Sequence, residues 1–389
     1  MDRETEIRLL DEILGLCKAG SAFLDEEVTS SPVDRYIDTT RFEAERDALF
    51  CRSPVALAHV SELASDGDFV TRMLAGRPLL LTRDREGTVH GFLNVCRHRG
   101  MELVPAETGC RHRFTCPYHA WTWSNQGELI AVPHREQGFP DQDADAYALH
   151  RIAVEERHGF VWAQLSGEMD LDACLGPLTA DFDWLAMPDL DVHAVDTRDW
   201  ACNWKILVEG GLEAYHFRVA HANTIAALFH DNISTYERLG PHIRSVLARR
   251  TVDELVEMPR DDWQIRQHAN VLYTLMAGTI LLVQADHIVW LQILPLAVDR
   301  TRLRLTTLRP AGDLTEKAQS YWDKNHALTI ETLNEDFLIG EKIQKGLGTG
   351  ANRALTFGRY EGALARFNET VEAWVEGSAN TNVHTMTPA

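Results

Sequence analysis

The 389-residue sequence has no apolar run long enough to cross a membrane and few basic residues. Its longest nearly apolar stretch, Val271–Val283, is shorter than the roughly 20 residues of a membrane helix. No signal peptide is visible at the N-terminus. The 38 Lys and Arg residues stand against 58 Asp and Glu, giving a net charge of −20, which repels phosphate backbones and anionic lipids. We therefore expect a cytoplasmic protein that binds neither membrane nor nucleic acid.

Disulfide and nucleotide-binding patterns are also missing. Seven cysteines, an odd count in a chain of this size, do not form a disulfide framework and predict buried thiols or metal ligands in a reducing compartment. No G-x-G-x-x-G fingerprint is present, so nothing indicates that the chain itself accepts hydride from a nicotinamide nucleotide. The 45% hydrophobic and 25% charged content is that of a globular protein of two or three domains.

Hydrophobic periodicity predicts an amphipathic helix over the first 20 residues, then a small all-β domain, then a mixed domain. The predicted strands are Phe69–Leu74, Pro78–Thr82, His90–Val95 and Phe160–Leu165 in the first domain and Val271–Gly278, Thr279–Gln284, Ile288–Leu296 and Thr301–Leu308 in the second. The predicted helices of the second domain are Asn203–Ala222, Leu314–Leu347 and Glu361–Glu376. We assign residues 1–45 to an N-terminal helical segment packed on the second domain, 46–165 to the β domain, 166–380 to the mixed domain and 381–389 to a frayed tail.

Two short motifs in the β domain contain two cysteines and two histidines: Cys96-x-His98 and Cys116-x-x-His119. Such a set can bind zinc, or a [2Fe–2S] cluster with two thiolates on one iron and two imidazoles on the other. A single residue between Cys and His is too tight for the usual structural zinc site, which prefers two to four. The 17 residues between the motifs are enough for two facing loops, so these four residues are the predicted cluster ligands.

A second C-x-H pattern, Cys110 and His112, is excluded as a ligand pair. Only three residues separate His112 from Cys116, too few to build two opposed loops. A lone cysteine is more often a small apolar side chain than a ligand.

The mixed domain has a cluster of acidic residues and histidines: Glu209, Glu213, His216 and His221. Glu213 and His216 are three residues apart and share a helix face. His216 and His221 are five apart, roughly 140° around an ideal helix. They can reach one metal only if the helix ends or widens between them, a distortion typical of functional sites.

These motifs together resemble Rieske non-heme iron oxygenases, large (alpha) subunit. The resemblance rests on Cys96–Gly100, Cys116–Trp121, Asn203-Trp204-Lys205, Glu213-Ala214-Tyr215-His216 and His221. Respiratory Rieske proteins carry an extra cysteine pair, and the corresponding residues here are Met101 and Tyr118, so that class is disfavoured. The resemblance extends over about residues 40 to 375.

The resemblance implies an α+β protein: an all-β Rieske [2Fe–2S] domain joined to a helix-grip (START-like) catalytic domain, in which a long helix crosses a curved antiparallel sheet. It further implies a [2Fe–2S] Rieske cluster, a mononuclear Fe(II) held by two histidines and one carboxylate, and dioxygen as co-substrate. Electrons would come from NAD(P)H through a separate reductase or ferredoxin.

The carboxylate ligand of the iron is sought far along the chain. The candidates are Glu331, Glu335 and Asp336. Leu333, Phe337 and Gly340 mark the inward face of the predicted helix, and Asp336 shares that face, whereas Glu335 is predicted to point outward. We choose Asp336, which completes the set with His216 and His221.

In the family, the carboxylate at the position of Glu213 bridges a cluster histidine of one subunit and an iron-ligand histidine of the next. The resemblance therefore implies a head-to-tail homotrimer. Many aromatic-ring dioxygenases have Asp at this position. Glu at this position occurs among members that resemble choline- and carnitine-type monooxygenases, and it fits members that lack a small second subunit. A second departure is Gly210-Gly211, where many members have Asn after the residue resembling Glu209.

The expected function is the terminal oxygenase of a multicomponent system that hydroxylates or demethylates a small organic molecule. The alternatives are an aromatic-ring cis-dihydroxylating dioxygenase, an electron carrier without oxygenase activity, and a zinc-binding scaffold. The sequence does not decide the identity of the substrate. The candidate pocket residues are Phe217, Phe229, Tyr273, Met276, Val283, Gln284, Trp290 and Gln292.

Overall fold

The computed structural model describes residues 1–141 and 143–385. They form two compact units: Phe50–Asp170, and Met1–Leu49 together with Leu171–Ala389. Residues 381–385 of the predicted tail continue the last helix, and the rest of that tail, 386–389, lies outside the described residues. Within the described part of the chain, no helix combines the length and apolar character that a bilayer crossing requires.

The secondary structure alternates helical and β-rich segments. The helices are α1 (Arg3–Ala19), α2 (Asp34–Ile37), α3 (Thr39–Glu45), α4 (Arg135–Gly138), α5 (Leu171–Leu175), α6 (Thr179–Leu185), α7 (Trp204–Glu209), α8 (Phe217–Ala220), α9 (Ile265–His268), α10 (Glu316–Leu347) and α11 (Gly362–Thr385). The strands are β1 (Thr29–Pro32), β2 (Val55–His59), β3 (Asp68–Leu74), β4 (Arg77–Arg83), β5 (Val89–Leu93), β6 (Thr108–Cys110), β7 (Arg113–Thr115), β8 (Thr122–Ser124), β9 (Leu129–Ala131), β10 (Arg151–Arg157), β11 (Phe160–Gln164), β12 (Leu190–Trp200), β13 (Phe229–Leu239), β14 (His242–Arg249), β15 (Ala269–Leu275), β16 (Thr279–Val283), β17 (Ile288–Ala297), β18 (Arg300–Pro310) and β19 (Ala354–Phe357).

The unit Phe50–Asp170 is all-β in its framework, as predicted. Its main antiparallel sheet has the order β2-β11-β10-β5-β4-β3-β6, and a small sheet has the order β7-β8-β9. The four strands predicted here correspond to β3, β4, β5 and β11. Phe69, Phe92, Phe114, Trp121 and Trp123 are buried between the two sheets together with both motif cysteines. This aromatic core is the support on which the two motif loops rest.

The other unit is built on an antiparallel sheet of order β12-β18-β17-β16-β15-β14-β13. The predicted strands of this domain are confirmed as β15 to β18, while β12, β13 and β14 were not predicted. Helix α10 lies across the sheet: Phe337 packs on Trp200 of β12 with ring centroids 5.3 Å apart, and the Thr307 hydroxyl of β18 lies 2.8 Å from His326 Nδ1. The expected helix-grip arrangement, a long helix over a curled sheet, is confirmed.

The single helix predicted over Asn203–Ala222 is wrong. The chain forms α7, leaves the helical path at Gly210, and forms the single turn α8 after His216. Two causes act together. Glycine is a poor helix residue because it loses the most backbone entropy. In addition, the Glu213 carboxylate accepts hydrogen bonds from the backbone N–H groups of Tyr215 and His216, which competes with helix continuation.

The N-terminal segment packs on the unit that contains the long helix. Helix α1 buries Leu9, Leu10, Ile13 and Leu14. At the end of α3, the buried Glu45 carboxylate accepts hydrogen bonds from Lys205 Nζ at 2.6 Å and from Trp204 Nε1 at 2.9 Å. Because Lys205 and Trp204 belong to α7, this buried ion pair fixes the segment that leads into the histidine cluster.

Candidate metal centres

The two motif loops of the β unit have the same backbone path. In the first, the Gly100 N–H donates to the Cys96 carbonyl at 3.0 Å, and in the second the Ala120 N–H donates to the Cys116 carbonyl at 3.0 Å. Gly100 and Ala120 both take the left-handed conformation, with φ of 78° and 59°. This conformation lets each loop double back, so that its cysteine and histidine face the same side.

The four predicted cluster ligands come together at the tips of these loops. Cys96 and Cys116 are buried, and the His98 and His119 rings are 4.7 Å apart between centroids. Burial raises the pKa of the Cys96 thiol, and the adjacent Cys116 thiol raises it further, against the N–H groups of His98 and Arg99, which lower it. His98 Nδ1 is buried with no hydrogen-bond partner among the described residues. Two neighbouring thiols and an orphaned imidazole nitrogen fit a group that takes two sulfur and two nitrogen ligands.

An aromatic wall holds the first histidine of this set. The Trp121 ring stacks on the His98 ring at 4.9 Å and 5°, and Phe139 meets His98 edge-on at 5.7 Å. The wall fixes the imidazole plane. Phe139 was missed in the sequence because it lies 20 residues beyond the second motif and no spacing connects it to the ligands.

Cys110 and His112 lie elsewhere in the β unit. Both are exposed, and both are neighbours of Asp66: the Cys110 thiol is 3.6 Å from its carbonyl and His112 Nδ1 is 3.4 Å from its carboxylate. This placement supports their exclusion from the ligand set.

In the second unit, His216, His221 and Asp336 offer ligand atoms that all lie within 4.8 Å of one another. Asp336 Oδ1 is 3.0 Å from His221 Nε2 and 3.4 Å from His216 Nε2. Metal–ligand bonds near 2.1 Å at right angles would put ligand atoms about 3 Å apart. His216 Nε2 is buried and lacks a hydrogen-bond partner among the described residues. Two imidazoles and one carboxylate on one side fit a facial triad with open positions opposite.

The end of helix α8 at Ala220 allows this convergence. His216 and His221 flank the single turn α8, one before its first residue and one after its last. A continuous helix would have directed them to different sides. The condition stated from the spacing, that the helix must end or widen between them, is met.

Each histidine is held by its own carboxylate. His216 Nδ1 donates to Glu213 Oε1, and His221 Nδ1 donates to Glu335 Oε2 at 2.7 Å. Glu335 also accepts a hydrogen bond from the Thr224 hydroxyl at 2.7 Å. The prediction that Glu335 points outward is wrong: its longer side chain reaches back to His221 although Asp336 is the residue that faces the triad. Both contacts fix the rings with Nε2 toward the centre.

The charges of this site shift its ionisation. Burial lowers the pKa of His216, but Asp336 and Glu213 outweigh it and raise the pKa to about 10. The same balance raises the pKa of His221. Burial raises the pKa of Asp336, and the two histidines outweigh it and lower that pKa. The carboxylates therefore favour positive charge on the two imidazoles, which is the charge that a metal at this site would supply.

Glu209, the other acidic residue of the cluster, faces away from the triad. Its carboxylate accepts hydrogen bonds from the Tyr36 hydroxyl at 2.6 Å and from Asn368 Nδ2 at 2.8 Å. Burial raises its pKa to about 7. Glu209 thus belongs to the buried contact between α7, the N-terminal segment and α11.

A cavity of about 320 Å³ opens beside the triad. Of the predicted pocket residues, Phe217, Phe229 and Gln284 line it, and Tyr273, Met276, Val283, Trp290 and Gln292 do not. The other strand residues that line it are Leu247 and Arg249 of β14, Asn270 and Leu272 of β15, and Leu282 of β16. Tyr273 points to the opposite face of the sheet, where its hydroxyl donates to Asp181 at 2.6 Å. Alternation along the strands separated the two faces, but the sequence did not say which face the cavity uses.

The raised pKa of His216 predicts that metal binding releases protons at neutral and alkaline pH. We expect Co(II) affinity of the metal-free triad to rise roughly tenfold per pH unit for each proton released, and to continue rising above pH 8, where an ordinary histidine with a pKa near 6.5 is already neutral. Calorimetric titration between pH 6.5 and 9 in buffers of different ionisation enthalpy measures both quantities. An affinity that levels off above pH 7 would contradict the assigned charge balance.

Comparison with known proteins finds a family model that matches each of the two units. Residues 53–152 match the Rieske [2Fe-2S] domain, and residues 187–377 match the ring hydroxylating alpha subunit catalytic domain. The carnitine monooxygenase oxygenase subunit of Escherichia coli (strain K12) is 32% identical over 209 residues, covering 50% of this chain and 53% of that protein. The biphenyl 2,3-dioxygenase subunit alpha of Rhodococcus jostii (strain RHA1) is 31% identical over 223 residues, covering 56% and 48%. The matched segments thus span about half the length of these relatives.

Solved structures share the fold over nearly the whole chain. A quaternary ammonium Rieske monooxygenase in complex with L-carnitine superimposes with a TM-score of 0.76 at 22% identity, covering 89% of this chain and 96% of that one. Naphthalene 1,2-dioxygenase from Rhodococcus sp. bound to indole gives 0.73 at 19% identity, covering 95% and 98%. The sets Cys96, His98, Cys116, His119 and His216, His221, Asp336 lie within the two matched domains. With a Rieske [2Fe-2S] domain followed by a ring-hydroxylating alpha subunit catalytic domain, the chain belongs to the Rieske oxygenase alpha subunits.

Proposed function

We propose that this chain is the terminal oxygenase component of a multicomponent Rieske system, and that it hydroxylates or demethylates a small organic substrate. The observation that carries the proposal is the position of His216, His221 and Asp336 on the wall of the 320 Å³ cavity. A purely structural metal site is normally closed by protein ligands, whereas this set is three ligands next to open space.

Iron bound at this triad, with electrons delivered through the cluster, would supply the activation of dioxygen. The chain's own residues would do the rest. Glu213 and Glu335 keep the two imidazoles oriented. Phe217 and Phe229, in edge-to-face contact at 5.2 Å on the cavity wall, exclude water and present apolar surface to the substrate. The substrate carbon that reacts would lie at this end of the cavity.

The electron donor would be a separate NAD(P)H-dependent reductase or ferredoxin. Arg97, Arg99, Arg111 and Arg113 make the sequence around the cluster motifs locally basic within an acidic chain. Arg99 lies over the exposed Tyr118 ring, 5.3 Å from its centroid, next to the ligand His119. A basic, partly aromatic rim suits an acidic electron donor. This feature also distinguishes the proposal from a zinc scaffold, which needs no donor.

A second candidate function is cis-dihydroxylation of an aromatic ring. The apolar walls of the cavity and its pair of phenylalanine rings suit a flat aromatic substrate as well, and the relatives include a biphenyl 2,3-dioxygenase. Turnover under ¹⁸O₂ separates the two candidates, because a monooxygenase incorporates one labelled atom and a dihydroxylating dioxygenase incorporates two.

We also propose that the active form is a homotrimer in which Glu213 links the iron site to a cluster histidine, His98 or His119, of a neighbouring subunit. The surface near Glu213 carries exposed apolar side chains: Tyr215, Val219, Ile339 and Ile343. Exposed apolar patches of this kind mark protein–protein contacts. Glu213 already holds His216, so a second imidazole on the same carboxylate would join the two metal sites through three side chains.

A cytoplasmic location is part of the same proposal. None of the seven cysteines, all of which lie in the described part of the chain, forms a disulfide, and Cys110 is exposed. A chain with an exposed thiol and no disulfide suits a reducing compartment.

Loss of a cluster ligand should remove the Rieske signal. Cys96→Ala or His98→Ala is expected to abolish the electron paramagnetic resonance signal of the reduced cluster, because each removes one of four ligands. Cys110→Ala is the matched control, since it removes a cysteine of the same unit that lies beside Asp66. The reverse pattern, with the signal lost in Cys110→Ala and kept in Cys96→Ala, would refute the ligand assignment.

Loss of a proposed iron ligand should empty the mononuclear iron site and leave the cluster intact. Asp336→Ala is expected to lose mononuclear iron and substrate-dependent oxygen uptake by at least about a hundredfold while keeping the cluster signal. Glu331→Ala, an exposed position on the same helix, is the matched control and should keep iron and turnover. Iron that is retained, with turnover, in Asp336→Ala would move the third ligand to another carboxylate.

Loss of Glu213 should uncouple the centres without emptying them. Glu213→Ala is expected to keep both metals and the trimer and to lose reductase-driven turnover, and Glu213→Asp should retain more activity than Glu213→Ala because it keeps a shorter carboxylate. The measurements are metal content, sedimentation and the rate of iron-site reduction after cluster reduction. A fully active monomer at assay concentration would refute the assembly.

A further inference from the structure

The cavity contains a charged group that the iron site does not use. Arg249, the last residue of β14, lines the cavity together with Asn270 of β15 and Gln284, which follows β16. Its Nε donates to Asn270 Oδ1 at 2.7 Å, and its Nη2 donates to Gln284 Oε1 at 2.6 Å. Two neutral amides therefore fix the plane of the guanidinium, and Nη1 makes no hydrogen bond to any residue that the structure describes.

Arg249 pairs with Phe229 in the sheet, and its side chain extends to Gln284, toward the end of the cavity away from the triad. Asp336 and Asn325 both line the cavity and are 11 residues apart on α10, which corresponds to about 16 Å of helix. The Gln284 N–H donates to the His287 carbonyl at 2.9 Å, and the His287 ring meets Trp322 at 5.6 Å, one turn before Asn325. The cavity thus runs along the helix from the iron ligands to the Arg249 end.

The charge of Arg249 has no carboxylate partner within 4 Å among the described residues. Asp286 is the acidic residue that acts on it electrostatically, but the Asp286 carboxylate is already engaged by His287 Nδ1 at 2.8 Å and by the Tyr321 hydroxyl. Burial lowers the pKa of Arg249, and Asp286 offsets this in part. Since a guanidinium stays protonated in proteins, a positive charge faces the cavity.

A second polar group at this end also lacks a partner. His287 lines the cavity and is 5% exposed, and its Nε2 is buried without a hydrogen-bond partner in the described part of the chain. Buried polar atoms are normally paired, so an orphan atom in a cavity wall points to a missing ligand. Arg249 and His287 together make a polar end opposite to the iron end.

We propose that the Arg249 end of the cavity binds the carboxylate of an amphiphilic organic acid. The apolar body of this acid would lie along Leu247, Leu272 and Leu282 of the sheet, and, if the proposed function is right, its far end would reach the triad. The guanidinium edge matches a planar carboxylate with two parallel hydrogen bonds. A substrate that is only a cation would need an aromatic cage and a nearby anion, whereas the aromatic rings other than histidine among the described lining residues are Phe217 and Phe229.

The test compares acids with neutral analogues of the same shape. The probes are 3-phenylpropanoate, 4-phenylbutanoate and 6-phenylhexanoate, each with its primary amide, titrated calorimetrically into protein loaded with cluster and iron under argon so that no turnover occurs. We expect at least one acid to bind at least about tenfold more tightly than its amide. Because this comparison uses the unmodified protein, it does not depend on any variant folding.

Three variants identify the residue responsible. Arg249→Gln should reduce the ratio of acid to amide affinity to about one, and Arg249→Lys should keep part of it, because lysine retains the charge without the planar fork. Arg238→Gln, the same charge change at an exposed position of β13, should leave the ratio unchanged. Unmodified protein that binds no acid of the series, or that binds acids and amides equally, would overturn the inference, and so would an unchanged ratio in Arg249→Gln.

The outcome is independent of the proposed function. If the protein prefers acids but shows no oxygen-dependent turnover, the inferred anion site is supported and the proposed oxygenase function is rejected. If the protein turns over neutral substrates and binds acids and amides equally, the oxygenase function is supported and the anion site is rejected.

Discussion

The convergence of His216, His221 and Asp336 is the constraint on which the catalytic unit depends. A continuous helix through both histidines would separate them, and the chain avoids this because α8 is a single turn that begins after His216 and ends before His221. The carboxylate comes from α10, more than a hundred residues later, and α10 is held over the sheet by the contact between Phe337 and Trp200. The long helix thus serves both as a packing element and as the element that places Asp336, the proposed third ligand, beside the two histidines.

The same constraint explains why further carboxylates surround the triad. A buried pair of imidazoles needs hydrogen-bond acceptors for the nitrogens that face away from the metal, and Glu213 and Glu335 provide them. Glu213 has a second effect on the backbone, because it also accepts the N–H groups of Tyr215 and His216. One side chain therefore stabilises the break before α8 and orients His216, one of the three residues proposed to bind the iron.

The cavity beside the triad is electrostatically asymmetric. Its negative side chains, Glu213 and Asp336, are at the end where the histidines and a metal balance them. Its positive side chain, Arg249, is at the other end among neutral amides, and apolar strand residues line the space between. In a low-dielectric cavity this separation would orient a polar substrate before any chemistry occurs. In the β unit, two loops with equivalent hydrogen bonds and an aromatic wall position the four proposed cluster ligands without a helix.

The sequence by itself determined the elements whose signals are local. The long helix α10 and the strands β15 to β18 follow from periodicity, and the Cys and His motifs of the β unit follow from spacing. The pair His216 and His221 is assigned from its spacing together with the family resemblance, and Asp336 is then assigned from the face it shares with Phe337 and Gly340. Tertiary structure alone decided the break after α7, the inward reach of Glu335, the contribution of Phe139, and the face of the sheet that the cavity uses. These depend on side chains from distant segments that compete for hydrogen bonds or for one face of a strand. The periodicity of the sequence shows which residues lie on the same face of a strand or helix. It does not show which distant segment packs against that face.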